Sequence, residues 1–522
     1  MKTKKIVNIV NFIRAEDWRF DSKGLHETFL SELELCKKYS MPYTFLMLYD
    51  AMIKPEYSEP LLKNADPNME IGLWLELSKE AVERAGLEWK EERNWTWHVN
   101  PGMLLGYEVE DRKKIIDELM NRFQSIFGCY PESVGSWIID TFSINYMKEK
   151  YHIKSVCICK EQYGTDGYTL WGGYYNQGYY PSKKNMFIPA QTKSEQVQVP
   201  IFRMLGPDPI YQYDAGLDSK YNRGNIQHEV LTMEPTYGNC GANKSWVEWY
   251  LKSNFGEEAL TFAYTQVGQE NSFLWKNFGE GLKMQMELIS AGVKEGKWEA
   301  LTLKDTGKWF SQRYDATPPT AVTALTDWKK ENNQTVWYSC KNYRLNFHNA
   351  GGTVGLRDLF FYNEEYPDRY ANTPAPGDDA TFDALPVVDG YCWGGNGIRS
   401  ILRFVKKETG KTALGKIHSV SAEGENTLKI QFELDGIKAL CTCCEDFIEF
   451  EFFEDCFEML FQYNNLRNTK IKEIANNRVV YEHEAFSYGI EVTGNVTGEE
   501  NGFRILPKGK TVALKPFGFK KN

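Results

Sequence analysis

Up to about residue 315, hydrophobic residues fall in short, nearly continuous runs separated by stretches of helical spacing, the pattern of parallel strands buried on both faces. The first run, Lys5 to Ile13, ends at Arg14, Glu16 and Asp17. Tyr43 to Tyr49 closes on Asp50, and MEIGLWLEL carries Trp74 and Glu76 at its end. Ser133 to Ile139 ends at Asp140, Ile153 to Cys159 at Lys160 and Glu161, and VQVPIFRML leads to Asp208, Tyr211 and Asp214. The seventh run, in ALTFAYTQVGQEN, is followed by Gln269, Glu270 and Asn271. Helical periodicity marks Leu25 to Tyr39, Glu110 to Phe127, Ser143 to Tyr151 and the stretch FLWKNFGEGLKMQMELISAG. Seven strands, most of them separated by helices, predict a parallel α/β arrangement, preferably a distorted seven-stranded (β/α) barrel, with a doubly wound sheet as the alternative.

Beyond ATPPT, at Ala316 to Thr320, the period changes to two. TLKIQFELDGIKALCTC alternates around Asp435-Gly436, a short-range hairpin signal, and FIEFEFFED alternates as well. The expected organisation is a barrel-like catalytic domain with insertions over 1–315 and an all-β domain, a β-sandwich, over 321–522. Two loops of the second part, GLRDLFFYNEEYPDRYANTPAPGDD and GYCWGGNG around Trp393, are long enough to reach back to the first.

Composition narrows the function classes. A net charge of −10 without a concentrated basic run argues against a nucleic-acid partner, and no apolar stretch approaches a membrane span. Asn8 and Asn11 interrupt the opening apolar run and no small-residue cleavage site follows, so it is read as a strand. Eleven cysteines without framework spacing predict reduced, buried thiols and a cytoplasmic protein, unless a leader has been removed. Cys441, Cys443 and Cys444 lack the partners a zinc site needs and are expected to be small core residues.

The stretch from Pro131 to Asp214 carries the densest candidate chemistry. Between Tyr163 and Tyr180 Tyr, Trp and Gly crowd together with polar neighbours, a composition suited to a sugar, whose C–H face stacks while its hydroxyls take hydrogen bonds. The insertion EWKEERNWTWHVNPGMLLGY, with Trp89, Trp95, Trp97 and His98, is too aromatic for an ordinary linker and reads as a lid or one wall of a cleft. Cleavage of a glycosidic bond needs two carboxyl groups, and acids that follow strand ends are the candidates: Asp17, Asp50, Glu76, Asp140, Glu161, Asp208 and Glu270. Asp140, after a Trp-containing strand, and Glu270, between amides, are preferred as catalytic residues, with Glu76 third. Most strand-end acids cap helices or pair on a rim, and Asp140 has a helix start directly after it. Trp74, Trp137, Trp171 and Tyr174 are the stacking candidates. Asp166, Arg203, Asp208, Tyr211 and Gln269 are the hydroxyl-binding ones, and His98 is read as a wall residue.

The order of elements resembles the carbohydrate-active barrels shared by NodB-type polysaccharide deacetylases and some retaining α-glycan hydrolases. The strings GTDGYTLWGGYYNQGYYPSKKN and PIFRMLGPDPIYQYD are similar to those of a bacterial family, seen mostly in gut anaerobes, built as such a barrel with a β-rich C-terminal domain; the similarity runs over nearly the whole chain. In the hydrolases a nucleophile follows the fourth strand and an acid/base the seventh, which the resemblance places at Asp140 and Glu270, the former departing from the usual Glu. NodB-type enzymes carry an HxxxH pair after the third strand, where EIGLWLEL has no histidine. NFIRAEDW likewise lacks the histidine of the zinc-dependent α-mannosidase barrels. The expectation is therefore a metal-independent, retaining glycoside hydrolase without a cofactor, acting on an oligo- or polysaccharide. The alternatives are a non-catalytic carbohydrate-binding or sensing protein and a deacetylase-like enzyme.

Overall fold

The computed structural model describes residues 3–212, 231–390, 399–464, 466 and 468–518. Asp214 and Trp393 lie outside them.

Beside Glu299–Leu301, an eighth parallel strand that pairs with the first, seven parallel strands form the first part: β1 (Lys4–Ile13), β2 (Tyr43–Met47), β3 (Met69–Trp74), β4 (Ser133–Gly135), β5 (Ser155–Ile158), β6 (Ile201–Arg203) and β7 (Phe262–Val267). They neighbour one another in the order β7-β1-β2-β3-β4-β5-β6, and Gly178–Tyr179 adds an antiparallel strand outside β6. This is the nearly closed barrel-like sheet that the seven apolar runs predict. Several strands are shorter than their runs, because backbone pairing stops where the chain turns towards the rim. β4 ends at Gly135, and Ser136 already bonds its hydroxyl to the Ile138 carbonyl at 2.6 Å.

Ile6, Val10, Phe12, Leu46, Trp74, Cys157, Phe202, Phe262 and Tyr264 form one interior cluster. β4 contributes no side chain to it for a steric reason: a Cβ on Gly135 would sit 2.6 Å from Leu46 and from the Trp74 ring, which fill that space. The helix Leu303–Arg313 closes one end, placing Leu303 and Phe310 in the same cluster. Its first residues donate backbone N–H groups to Thr44 and Glu70, near the starts of β2 and β3, so the opposite, C-terminal edge is the open one. The polar side chains of β1 bond inside: Asn8 donates to Leu301 O at 2.8 Å, and Asn11 accepts the N–H of Gln269 at 3.1 Å.

The seam between β6 and β7 is bridged by side chains. Gln177, just before Gly178–Tyr179, accepts the Tyr264 N–H at 2.5 Å and donates to Asn254, which donates in turn to the Tyr264 carbonyl at 3.0 Å. Phe202 and Tyr264 pack across it with ring centroids 4.9 Å apart.

From Thr320 onward the described chain is all β. One nine-stranded sheet begins with Thr320–Ala324, and an eight-stranded sheet contains the hairpin Thr427–Leu434/Ile437–Cys444, turning at Asp435-Gly436 with φ of 49° and 84°. The sheets face each other through Phe347 and Phe404 on one side and Phe432 and Phe450 on the other, a β-sandwich core. Cys441 and Cys443 are buried there. The loop 362–379 does reach back. Ala380–Asp383 pairs in parallel with Tyr168–Trp171 of the barrel part, and the carbonyl of Tyr370 accepts from Arg112 at 2.6 Å. No helix among the described residues is long and apolar enough to cross a membrane.

Replacing Gln177 with Ala strands the buried Tyr264 N–H and removes one of the two bonds that Asn254 Oδ1 accepts, the other coming from Asn176, so it should cost about 1–3 kcal/mol of unfolding free energy, read from urea titration. An unchanged midpoint would show that the seam does not depend on this side chain.

Candidate functional site

A cavity of about 220 Å³ opens at the C-terminal edge of the strands, lined by Arg14, Arg19, Glu76, Trp95, Trp97, Trp137, Lys160, Gln162, Thr165, Asp166, Tyr168, Glu234, Tyr237, Glu270 and Phe273. Parallel barrels build their sites at this edge because strand ends deliver side chains there from many segments. Arg14 follows β1 directly, Glu76 lies two residues past β3, and Lys160 two past β5. Glu270 follows β7 after Gly268, whose φ of 126° and missing side chain are required, since a Cβ would lie 1.8 Å from Val10 O. The insertion after Glu76 folds back through a bridge between Ser78 and Trp95 and sets Trp95 and Trp97 as a wall.

Arg14 is the centre. One guanidinium nitrogen, Nη2, lies 2.9 Å from Glu76 Oε2 and 2.7 Å from Glu270 Oε1, and Nη1 is 3.7 Å from Asp17. The Trp95 ring lies beneath it, 4.0 Å from the guanidinium carbon. Burial opposes the charge, but Glu270, Glu76, Asp17 and Asp50 outweigh it and raise the Arg14 pKa above its ordinary value. Asp50 clamps the exit of β1, accepting the N–H groups of Ala15 and Glu16 at 2.9 and 2.6 Å, and burial lifts its carboxyl to about 6.

Glu76 is held from three sides by indoles. Trp74 and Trp137 donate to its Oε2 at 3.1 and 3.3 Å, and Trp95 donates to Oε1 at 3.0 Å. Burial nevertheless raises this carboxyl to about 7; Arg14 opposes the shift and the charge of Glu270 adds to it. Glu270 accepts from the Ser272 hydroxyl, and its N–H donates to the Gln269 side chain, which is tied to Thr236 at 2.9 Å. Opposite, Lys160 pairs with Glu234 at 3.1 Å, and that negative charge keeps the lysine above its ordinary pKa despite burial. Asp166 stands exposed at the mouth, at the turn of the hairpin Gln162–Thr165/Tyr168–Trp171. A carboxyl near neutrality beside a second carboxylate, in a pocket walled by Trp95, Trp97, Trp137 and Tyr168, can give a proton to one side of a polar bond and attack or polarise the other.

The structure brings together Glu76, Glu270, Trp137 and Asp166, with Trp74 and Gln269 directly behind them. It places the other expected residues elsewhere. Asp140 is fully buried as the N-cap of the helix Thr141–Tyr151, accepting from Ser143 N–H and Oγ at 2.8 and 2.7 Å and pairing with Arg112 at 3.1 Å. Its carboxylate is used up by capping. Trp171 donates to Asp389 at 3.3 Å in a different cavity, and the Tyr174 hydroxyl donates to Pro318 O, binding the barrel to the sandwich. Arg203 donates to the carbonyls of Cys159 and Tyr174. Asp208 is saturated by the N–H groups of Ile210, Tyr211, Trp246 and Trp328, while Tyr211 bonds Asp327 at 2.7 Å. His98 lies near Glu91 and Asp378, at 3.7 and 3.8 Å, its ring edge-on to Trp97. Glu161 pairs with Arg344 of the sandwich. The roles of Arg14, Arg19 and the Lys160–Glu234 pair were not predicted; the available signal was a cation directly after the first and fifth strands, where acids were sought.

Among the described residues, Asp383, His483 and Glu484 form a group with ligand atoms within 4.8 Å of one another, outside this pocket. Arg369 already pairs with Asp383 and Glu484 at 3.0 and 2.5 Å.

No protein-family model matches the chain, and no curated protein matches it in sequence. Among solved structures, a Parabacteroides distasonis protein named provisionally as a glycoside hydrolase/deacetylase overlays with a TM-score of 0.54 at 14% identity, covering 74% of this chain and 91% of that one. This chain shares its fold. A Mycobacterium smegmatis protein named provisionally as a polysaccharide deacetylase (11% identity, TM-score 0.36, 59% and 91% covered) and a Thermotoga maritima alpha-amylase (9%, 0.30, 59% and 74%) overlay too loosely to add to that.

Glu76 makes the pH dependence of stability testable. Its folded value of about 7 exceeds the ordinary 4.5, so the native state binds this proton more tightly than the unfolded chain. The stability it contributes is complete below pH 4.5 and is lost as pH rises through about 7. Glu76→Gln, which cannot ionise, should flatten the fall in unfolding free energy over that window, leaving the parts due to Asp50 and Asp368, which burial raises to about 6 and about 7. An unaltered slope in denaturant titrations at stepped pH would contradict the assignment.

Proposed function

We propose that this chain is a glycoside hydrolase, working in the Arg14 pocket by a retaining mechanism with Glu76 as acid/base and Glu270 as nucleophile. The observation that carries the reading is the shared nitrogen. Glu76 Oε2 and Glu270 Oε1 touch the same Nη2 of Arg14, so these oxygens lie no farther apart than the sum of those two distances. So close a pair favours the roughly 5–5.5 Å between carboxyl groups of retaining enzymes over the roughly 6.5–9.5 Å that an inverting enzyme needs for an intervening water. The fold likeness and the aromatic walls support a carbohydrate as the substrate.

In this mechanism a sugar ring lies against the indoles. Glu76, about half protonated at neutrality, donates through Oε1, which among the described residues accepts only the Trp95 N–H and has a lone pair for the proton. As the glycosidic C–O bond breaks, the leaving oxygen takes that proton and a Glu270 oxygen bonds to the anomeric carbon. The Glu76 carboxylate then takes a proton from water, whose oxygen displaces Glu270 and restores both groups. Arg14 stays charged throughout and offsets the negative charge that moves between the two carboxylates. A guanidinium at the convergence of Asp17, Asp50, Glu76 and Glu270 does the neutralising that a bound cation would otherwise do, which supports a metal-independent reaction.

A screen of labelled oligosaccharides should identify a cleaved glycan. On it, Glu76→Gln and Glu270→Gln should each lower kcat/KM by at least about 10²-fold. The wild-type profile should fall as pH rises through about 7, since Glu76 must be protonated, and chelators should leave the rate unchanged. Full activity in both variants would overturn the assignment, and loss on chelation with release of acetate would replace it with metal-dependent deacetylation.

A further inference from the structure

Beside the pocket runs a second, wider groove of about 750 Å³, with Trp18, Phe20, Lys54, Glu92 and Arg93 in its lining and Trp95 shared with the pocket. We propose that this groove is a second sugar-binding site, a subsite holding the continuation of an uncharged glycan chain against the Trp18 indole; the proposal rests on the glycoside hydrolase reading of the pocket.

Two of the large exposed hydrophobic side chains of the described residues lie here, two positions apart: Trp18, 49% exposed, and Phe20, 37% exposed. Leaving an indole half in water forgoes the burial that stabilises most aromatic residues. These rings are nonetheless held in place. Trp18 stacks on Trp97 with centroids 5.7 Å apart and planes at 27°, and the Arg93 guanidinium lies 3.9 Å from its ring centre. Arg19 packs 5.3 Å from both Phe20 and Trp97 while its guanidinium bonds Asp17 at 2.9 and 2.6 Å. Trp95 and Trp97 are 6.0 Å apart, so rings lead outward from the carboxylate pair through Trp97 to Trp18. The part of the Trp18 ring that Trp97 and Arg93 leave in water, with Phe20 beside it, forms a surface for the C–H face of a sugar, with little ordering left to do on binding.

The charges of the groove select against acidic sugars. Lys54 is engaged by Glu16 at 2.9 Å and Arg19 by Asp17, while Asp21 caps the helix Ser22–Tyr39 and Glu92 adds a further negative charge. Counted over the lining, four carboxylates, Glu16, Asp17, Asp21 and Glu92, outnumber the two cations Lys54 and Arg93, so a uronate or sulfate would meet a net negative surface that repels it. Hydroxyls, by contrast, find acceptors on every side.

The test compares lengths. Neutral oligosaccharides of increasing length, from the glycan that the pocket cleaves, and the aryl glycoside of its single sugar are assayed with wild type, Trp18→Ala and Trp18→Phe. The expected result is a rise in KM of about tenfold for the longer chains in Trp18→Ala, with kcat held. The aryl glycoside should be unaffected, and Trp18→Phe should recover most of the loss. Equal sensitivity for short and long substrates, or none for either, would overturn the subsite while leaving the hydrolase reading intact. Better turnover of acidic than of neutral oligosaccharides would also overturn it. If wild type neither cleaves nor binds any member of the series, the hydrolase reading fails and takes the subsite with it.

Discussion

A guanidinium taken out of water is tolerated only where negative charge and hydrogen-bond acceptors surround it, and once surrounded it fixes those partners in turn. Arg14 imposes that condition on four chain segments at once. The ends of β1, β3 and β7 must meet at one point to supply Asp17, Glu76 and Glu270, and Asp50 must come up behind. The glycine after β7, the glycine in β4 that admits the Trp74 ring, and the indoles beneath Glu76 all serve that meeting. With the guanidinium removed, three buried carboxylates would repel one another across the pocket. With it present, one of them can sit near neutrality beside a partner without the site flying apart.

The second half of the chain contributes to the pocket without lining it. The hairpin that carries Gln162, Thr165, Asp166 and Tyr168 is a short excursion that would be marginal alone. Ala380–Asp383 gives it a third strand, and the Tyr168 hydroxyl donates to the Trp97 carbonyl, so the hairpin and the tryptophan wall hold each other. Behind it, Arg344 of the sandwich is buried between Glu161 and Asp358, and Tyr175 lies flat on Trp337 with centroids 3.9 Å apart. Arg112 repeats the device lower down, joining Asp140 to the Tyr370 carbonyl. Cations buried at the junction orient it, and the aromatic density between Tyr163 and Tyr180 is mostly mortar between the two parts, not a platform for ligand.

This explains what was legible in the sequence. Strand positions were, because burial on both faces writes a continuous apolar run; so was the turn at Asp435-Gly436, because positive φ selects residue type. Glu76 and Glu270 could be named as strand-end acids, and Trp95 and Trp97 as a wall, from an insertion too aromatic to be solvated. Partners were not legible. An aspartate after a strand looks the same whether it caps a helix or faces a cavity, and the helix start directly after Asp140 was the hint of what it does. Trp171, Tyr174, Arg203, Asp208 and Tyr211 met the chemical profile of a sugar site, yet each is tied to groups from remote segments, and spacing along the chain carries no record of them. Arg14 was passed over because the search was for acids, whereas the arrangement needs a cation to hold two acids together.

The central claim is that Glu76 and Glu270, bridged by Arg14, flank the bond to be broken. A crystal structure of the Glu270→Gln variant soaked with a cleaved oligosaccharide tests it most directly. The account predicts the glycosidic oxygen within hydrogen-bond reach of Glu76, the anomeric carbon facing residue 270 and the sugar ring against the tryptophans. A glycan seated instead in the cavity of Trp171, Asp383 and His483, with the Arg14 pocket empty, would contradict it.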